Sequence, residues 1–259
     1  GNDEIRIFNT GVEQIGAGSG DNQIYIDGRW AGSIQAFDGD DRIYAGNTNI
    51  ESLNLGRGNN SIYIDINSPY EINGDVNASK SWIGSITTYS GDDHIELGNT
   101  DVDQINAGNG DNYIKTGSGY VGTIQTYGGD DYIEIGSGGG KFVSTDGGSD
   151  TIIISEQSDP NQGLIVDGGY DSGIDIVDLS DWGQGITVQL GNGIAWQSPA
   201  SENGNGYSDA GLGWLVLLGI EGIVGTAFND VIYGSEIGST ANNVLFGGEG
   251  NDKLYGLAG

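Results

Sequence analysis

Apolar residues recur along this chain as short alternating pairs at a fixed interval. Ile5, Ile24, Ile43, Ile62, Ile95, Ile114, Ile133 and Ile152 each lie four residues after a glycine that opens a polar corner. Those glycines are Gly1, Gly20, Gly39, Gly58, Gly91, Gly110, Gly129 and Gly148, so the steps are 19, 19, 19, 33, 19, 19 and 19 residues. Two residues beyond each Ile sits Ile7, Ile26, Ala45, Ile64, Leu97, Thr116, Ile135 or Ile154, the period-two signature of a strand with one face inward. A second pair precedes each later corner: Ile15, Ile34, Leu53, Ile86, Ile105, Ile124 and Val143 five residues before it, with Ala17, Ala36, Leu55, Thr88, Ala107, Thr126 and Thr145 three before it. Each repeat therefore predicts two short strands joined by two bends. Self-similarity at a fixed period predicts stacking, with parallel strands about 4.8 Å apart. The fold class expected is all-β: a parallel β-roll or β-helix solenoid of 19-residue coils.

The step of 33 is 19 plus 14, which places an insertion at about 67–80. A 38-residue rhythm overlies the coil period, because two residues before the corner the side chain alternates Gly18, Phe37, Gly56, Tyr89, Gly108, Tyr127. Asn9-Thr10, Asn47-Thr48 and Asn99-Thr100 occupy the opposite bend of every second coil, where they are expected to satisfy backbone groups. The pattern gives a solenoid over 1–156, a linker and irregular β segment over 157–224, where Asp159-Pro160 reads as an ordinary loop, and a different repeat over 225–259.

Composition narrows the function classes. There are 37 Asp plus Glu against 8 Lys plus Arg, a formal net charge of -29, which excludes a nucleic-acid binder. Glycine supplies 50 of 259 residues and proline 3, so the chain is neither collagen-like nor a proline-rich linker. With no cysteine, neither disulfides nor thiolate sites hold it together. No apolar run is long enough to span a bilayer. The sequence begins at Gly1, contains no Met and stops inside a repeat, and so reads as part of a larger protein.

The most specific motif is Gly247-Gly248-Glu249-Gly250-Asn251-Asp252-Lys253-Leu254-Tyr255, which satisfies every fixed position of the nonapeptide G-G-x-G-x-D-x-U-x. Looser copies start at Gly225 and Gly238. At these residues, and at Asp175-Ile176-Val177-Asp178-Leu179-Ser180, the chain resembles the RTX family of haemolysin-type calcium-binding repeats. That resemblance implies a right-handed β-roll ending in nonapeptide turns that clasp Ca²⁺, in an extracellular protein exported by type I secretion. It nominates Gly225, Asp230, Gly247, Gly250 and Asp252 as one site, with Asp175 as a further ligand.

The residues make a chemical case beside the resemblance. Ca²⁺ takes six to eight oxygens, and a glycine-rich bend turns carbonyls inward while one short Asp completes the shell. Carried onto the 19-residue coils, the Asp position falls on Asp3, Asn22, Asp41, Asn60, Asp93, Asn112, Asp131 and Asp150. The alternation of Asp and Asn up to Asn112 would give an inter-coil site one carboxylate and one amide. Stacked carboxylates about 5 Å apart repel by roughly 0.8 kcal/mol per pair even in bulk water, so some cation is called for.

Other classes find less material. The outward row Arg6, Tyr25, Tyr44, Tyr63, Glu96, Lys115, Glu134 offers tyrosines to a glycan and a carboxylate pair to a hydrolase, but Lys115 separates the two Glu and sheet stabilisation is the plainer reading. The single histidine, His94, reads as an exposed turn residue, and one His with no Cys leaves no nucleophilic triad or zinc site. The expected function is non-enzymatic: a calcium-stabilised structural segment whose partners are calcium ions and the rest of its parent chain. The alternatives are an adhesive face for an extracellular glycan, ice or surface partner, and the export and folding module of an enzyme whose catalytic domain lies elsewhere.

Overall fold

The computed structural model describes residues 1–66, 80–159, 163–190, 194–197, 215–235 and 242–257. The insertion expected at about 67–80 lies outside them except for Lys80, as do residues 160–162, 191–193 and 198–214. Two compact units are present, Gly1–Gly129 and Asp130–Gly259. Every described element is a strand or turn, with no helix among the described residues. Both units are parallel β-solenoids, the fold class that the spacing predicts.

In the first unit, one sheet adds Glu4–Phe8, Gln23–Asp27, Arg42–Gly46, Ser61–Ile64, His94–Leu97 and Tyr113–Lys115 in chain order, each parallel to the last. The second sheet does the same with Gly11–Gly18, Trp30–Ala36, Asn49–Arg57, Ser81–Ser90, Thr100–Asn109 and Val121–Gly128. Ile62 pairs with Ile95 across the long step as Ile43 pairs with Ile62 across a normal one. The extra 14 residues therefore leave the ladder register unchanged.

The core is the sum of the two inward rows. Ile24, Ile43, Ile62, Ile95 and Ile114 from one sheet, and Ile34, Leu53, Ile86, Ile105 and Ile124 from the other, are all 0% exposed. Identical side chains stack directly over one another, so each Ile fills the gap left by the pleat of the next coil. Thr88 and Thr126 are buried in this inward row, and the Thr88 hydroxyl donates to the Ala107 carbonyl of the following coil at 2.8 Å.

The 38-residue rhythm has a backbone cause. Gly18, Gly56 and Gly108 hold φ of 78, 74 and 77°, and the strand register shifts at each of them. A Cβ at Gly56 would overlap the Phe37 carbonyl, so alternate coils carry a glycine-dependent bulge. The coils between them carry the exposed rings of Phe37, Tyr89 and Tyr127. At the opposite bend Asn9 and Asn47 adopt φ of 56 and 48°. The buried Thr48 hydroxyl accepts the Gly28 N–H at 3.1 Å, which satisfies an amide that the turn leaves open.

In the second unit one sheet stacks Tyr132–Ile135, Thr151–Ile154, Ile176–Asp178, Gly222–Val224 and Val244–Phe246 in parallel. The other runs Gly140–Ser144, Leu164–Asp167 and Leu215–Leu218 in parallel. Ile194–Gln197 then pairs antiparallel with both Leu215–Leu218 and Ile186–Gln189, and Val231–Tyr233 and Lys253–Tyr255 continue parallel from Ile186–Gln189. The described strands within 157–224 belong to the same two sheets. Here the coil length varies, since Thr151 pairs with Ile176 and Ile176 with Gly222, and that variation hides the period.

Gly56→Ala should lower stability in urea unfolding by at least about 1 kcal/mol from the positive φ alone, before any steric overlap. Gly16→Ala, where an added Cβ meets nothing within 4 Å, should leave the midpoint in place. Equal effects at the two positions would contradict the bulge.

Candidate metal centre

Two hydrogen-bond ladders of opposite direction tie the polar corners together. At the inner position the backbone N–H of one coil donates to a side-chain oxygen of the next. Asp3 N–H reaches Asn22 Oδ1 at 3.0 Å, Asn22 N–H reaches Asp41 Oδ1 at 2.9 Å, and Asp41 N–H reaches Asn60 Oδ1 at 3.2 Å. Asn60 and Asp93 N–H continue to Asp93 Oδ1 at 2.7 Å and Asn112 Oδ1 at 3.2 Å. At the outer position the sense reverses: Asp40 N–H donates back to Asp21 Oδ1 at 3.0 Å and Asn59 N–H to Asp40 Oδ1 at 2.8 Å. The corner glycine precedes both positions with φ near 120–140°, as at Gly39 with 135°, where an L side chain is strained and a Cβ would overlap Gly20 of the preceding coil.

Asn and Asp do the same work with one oxygen and different work with the other terminal atom. The Nδ2 of Asn22, Asn60 and Asn112 donates to the corner carbonyls of Gly20, Gly58 and Gly110 at 2.7, 2.9 and 2.8 Å. Asp41, Asp93 and Asp150 are 0 to 2% exposed, and the Oδ2 of each is buried with no hydrogen-bond partner. A buried oxygen left this way carries a desolvation cost of several kcal/mol in charged form. Burial is accordingly the main force raising the Asp41 and Asp150 carboxyls above the usual carboxylate range, and it pushes Asp93 up to about 6. These corners offer hard oxygens and an uncompensated negative charge, which is the donor chemistry of a calcium-class cation.

In the second unit the ladder continues as acids in successive coils. Asp131 N–H donates to Asp150 Oδ1 at 2.8 Å, Asp150 N–H to Asp175 Oδ1 at 2.9 Å, and Asp175 N–H to Glu221 Oε2 at 3.1 Å. Asp171 joins from four residues before Asp175, where its Oδ2 accepts the Gly148 N–H at 2.8 Å. Burial first, then the charges of Asp150, Glu221 and Asp171, push Asp175 up to about 8. Glu221 and Asp171 are the residues that the spacing did not single out. They sit 46 residues after Asp175 and four before it, outside any fixed period. A search for acidic residues just before short β-branched runs would have found Glu221 ahead of Gly222-Ile223-Val224.

The nonapeptide turns at Gly225 and Gly247 lie before the other sheet's strands and follow the same rule. Asp230 N–H donates to Asp252 Oδ1 at 2.9 Å, and Asn251 N–H to Asn229 Oδ1 at 2.8 Å, so residues 22 apart face each other on adjacent coils. Gly225 is required because a Cβ there would come within 2.5 Å of both Asp230 Oδ2 and the Gly247 carbonyl. Gly250 holds φ of 115° against Phe228. Asp230 differs from the ladder acids in having both oxygens occupied: Oδ1 accepts Ile186 N–H at 2.7 Å, and Oδ2 accepts Thr226 N–H at 2.7 Å, with the Thr226 hydroxyl beside them. No three His, Cys, Asp or Glu side chains converge on one point among the described residues. Any cation here must therefore draw on backbone carbonyls as well as one carboxylate per turn.

A family model, the RTX calcium-binding nonapeptide repeat, matches in four copies, at residues 33–49, 97–119, 219–236 and 237–259. At these four segments the chain is similar to RTX calcium-binding repeats. Two RTX copies fall on the 19-residue ladder, around Gly39 and Gly110, and two on the nonapeptide turns. No curated protein matches the chain.

The outward tyrosines stack along the sheet, the stabilising role that is the plainer reading of the sequence, and are less exposed than their outward position suggests. Tyr25 and Tyr44 are 3% and 8% exposed, and their rings and that of Tyr63 stack on one another with centroids 5.2 Å apart. Stacking covers the faces a sugar would need and leaves only edges. Arg6 caps the row, 4.5 Å from the Tyr25 ring centre. His94 is not an isolated turn residue. It opens a strand, stacks on Tyr113 at 4.6 Å, meets Tyr63 at 5.4 Å and places Nε2 2.7 Å from Glu96 Oε1.

The raised carboxyls fix a pH response for the chelated protein. Asp93 and Asp175 bind protons more tightly folded than unfolded, so the folded state is favoured by acid, and that contribution is lost as pH rises through about 6 and then about 8. In chelator the urea midpoint should fall between pH 5 and pH 8.5, the reverse of ordinary acid denaturation. Saturating calcium should flatten that slope, and a chelated midpoint that climbs with pH would contradict the site.

Proposed function

We propose that this chain is a calcium-stabilised structural β-solenoid segment of a larger extracellular protein exported by type I secretion. The observation that carries the reading is the stack of buried carboxylate oxygens without partners, Oδ2 of Asp41, Asp93 and Asp150, in a chain that is also similar to RTX repeats. A net charge of -29 opposes stacking these corners unless counter-ions intervene. Binding energy then becomes folding energy, because the unfolded chain holds no such corners. Such a chain stays loose where calcium is scarce, as a protein threaded unfolded through an export channel must, and closes where calcium is abundant. The role is structural, with no catalytic step assigned to its residues.

A ligand-binding face is the second reading, favoured by the row Phe37, Tyr89 and Tyr127, which are 59, 53 and 41% exposed and recur two coils apart. Asn54 Nδ2 lies 3.5 Å from the Tyr89 hydroxyl and Asn106 Nδ2 3.3 Å from that of Tyr127, so amides flank the rings as a glycan site would require.

Far-UV circular dichroism of chelator-treated protein during a calcium titration tests the first reading, with magnesium as control because it demands stricter geometry and dehydrates reluctantly. A cooperative gain of β signal with calcium alone is expected. Complete β structure in chelator, unchanged by calcium, would sink it.

A further inference from the structure

The Asp/Asn alternation in the first unit has a chemical consequence. Asp and Asn side chains are isosteric, and in every ladder coil Oδ1 accepts the same N–H from the coil before. The second terminal atom must then occupy the same place in each. In the Asn coils that atom is a donor, and it meets the carbonyl of its own corner glycine at 2.7 to 2.9 Å. In the coils of Asp41 and Asp93 it is an acceptor, buried and unpartnered. A carboxylate oxygen turned toward a carbonyl oxygen needs something positive between them.

We propose that the alternation sorts the coils into two kinds: those closed by Asp41 and Asp93, which take a calcium-class cation between the free carboxylate oxygen and the corner carbonyl, and those closed by Asn22, Asn60 and Asn112, whose amide fills that role and needs no ion. This rests on the calcium reading above and adds which coils the ion serves. The repeat match does not make the distinction, because one matched segment, 33–49, spans an Asp corner and another, 97–119, spans an Asn corner. The amide works as a built-in substitute for the ion. It halves the number of cations that the stack requires and leaves every second corner closed in their absence. The second unit has no such relief, since Asp131, Asp150 and Asp175 follow one another without an amide.

Asp93→Asn and the reciprocal Asn60→Asp test the assignment, read by calcium count in native mass spectrometry and by melting temperature in chelator. Asp93→Asn should remove one ion and raise the chelated melting temperature by about 2–4 °C, the shift expected for roughly 1 kcal/mol in a domain of this size. Asn60→Asp should add one ion and lower the chelated melting temperature by a similar amount. Its product, three acids in successive coils, already exists in the second unit, so it should fold once calcium is present. An Asp93→Asn protein that melts lower in chelator would overturn the amide's role, and an unchanged ion count in Asn60→Asp would overturn the carboxylate's. Wild-type protein that takes up no calcium would refute the functional reading and the ion half of this one. The chelator melts would still decide whether the amide closes the corner.

Discussion

Each coil depends on a hydrogen bond between a backbone amide at the polar corner and a side-chain oxygen one coil away. Strands pair through their own amides and carbonyls, but a tight corner leaves N–H groups pointing along the stack with nothing in the strand ladder to accept them. In the first unit an Asx side chain accepts them, in one direction from the inner position and in the other from the outer. The side chain must be short enough to stay at the corner and must end in an oxygen. Glycine must precede it so that the backbone can turn at φ near 130° while lying against the corner of the preceding coil. The repeated Gly-Asx-Asx is what that geometry demands.

The same bond accounts for the acidity. Oδ1 is needed at every inner corner, and Asp supplies it as well as Asn does, but at Asp41, Asp93 and Asp150 the second oxygen is buried without a hydrogen-bond partner. An acid at such a place costs stability by itself and is tolerable where a cation completes it. On the calcium reading proposed above, structural and ion-binding roles are one design: the ladder recruits the carboxylate, and the carboxylate recruits the ion. Asp230 shows the contrasting solution, in which Thr226 and Ile186 supply donors to both oxygens.

The exposed surface is less informative than its residue types suggest. Tyrosines at equal spacing look like a binding platform in a linear reading. Parallel in-register stacking puts them directly over one another, and rings about 5 Å apart bind each other before they bind anything else. The Phe37, Tyr89 and Tyr127 row escapes this only because glycine-dependent bulges separate its members by two coils.

The sequence by itself determined the architecture of the first unit, its core and the identity of its ladder, because a constant coil length turns one-dimensional spacing into three-dimensional register. Ile24, Ile43 and Ile62 had to stack once their spacing was equal. Tertiary structure alone decided what depends on pairing across unequal intervals. Glu221 meets Asp175 across 46 residues, an antiparallel strand enters at Ile194–Gln197, and His94 finds a place in an aromatic stack. It also decided which oxygens are left without partners, since Asp41 and Asp230 both occupy the acidic position of their repeats. Only the folded surroundings give one of them a full set of donors and deny them to the other.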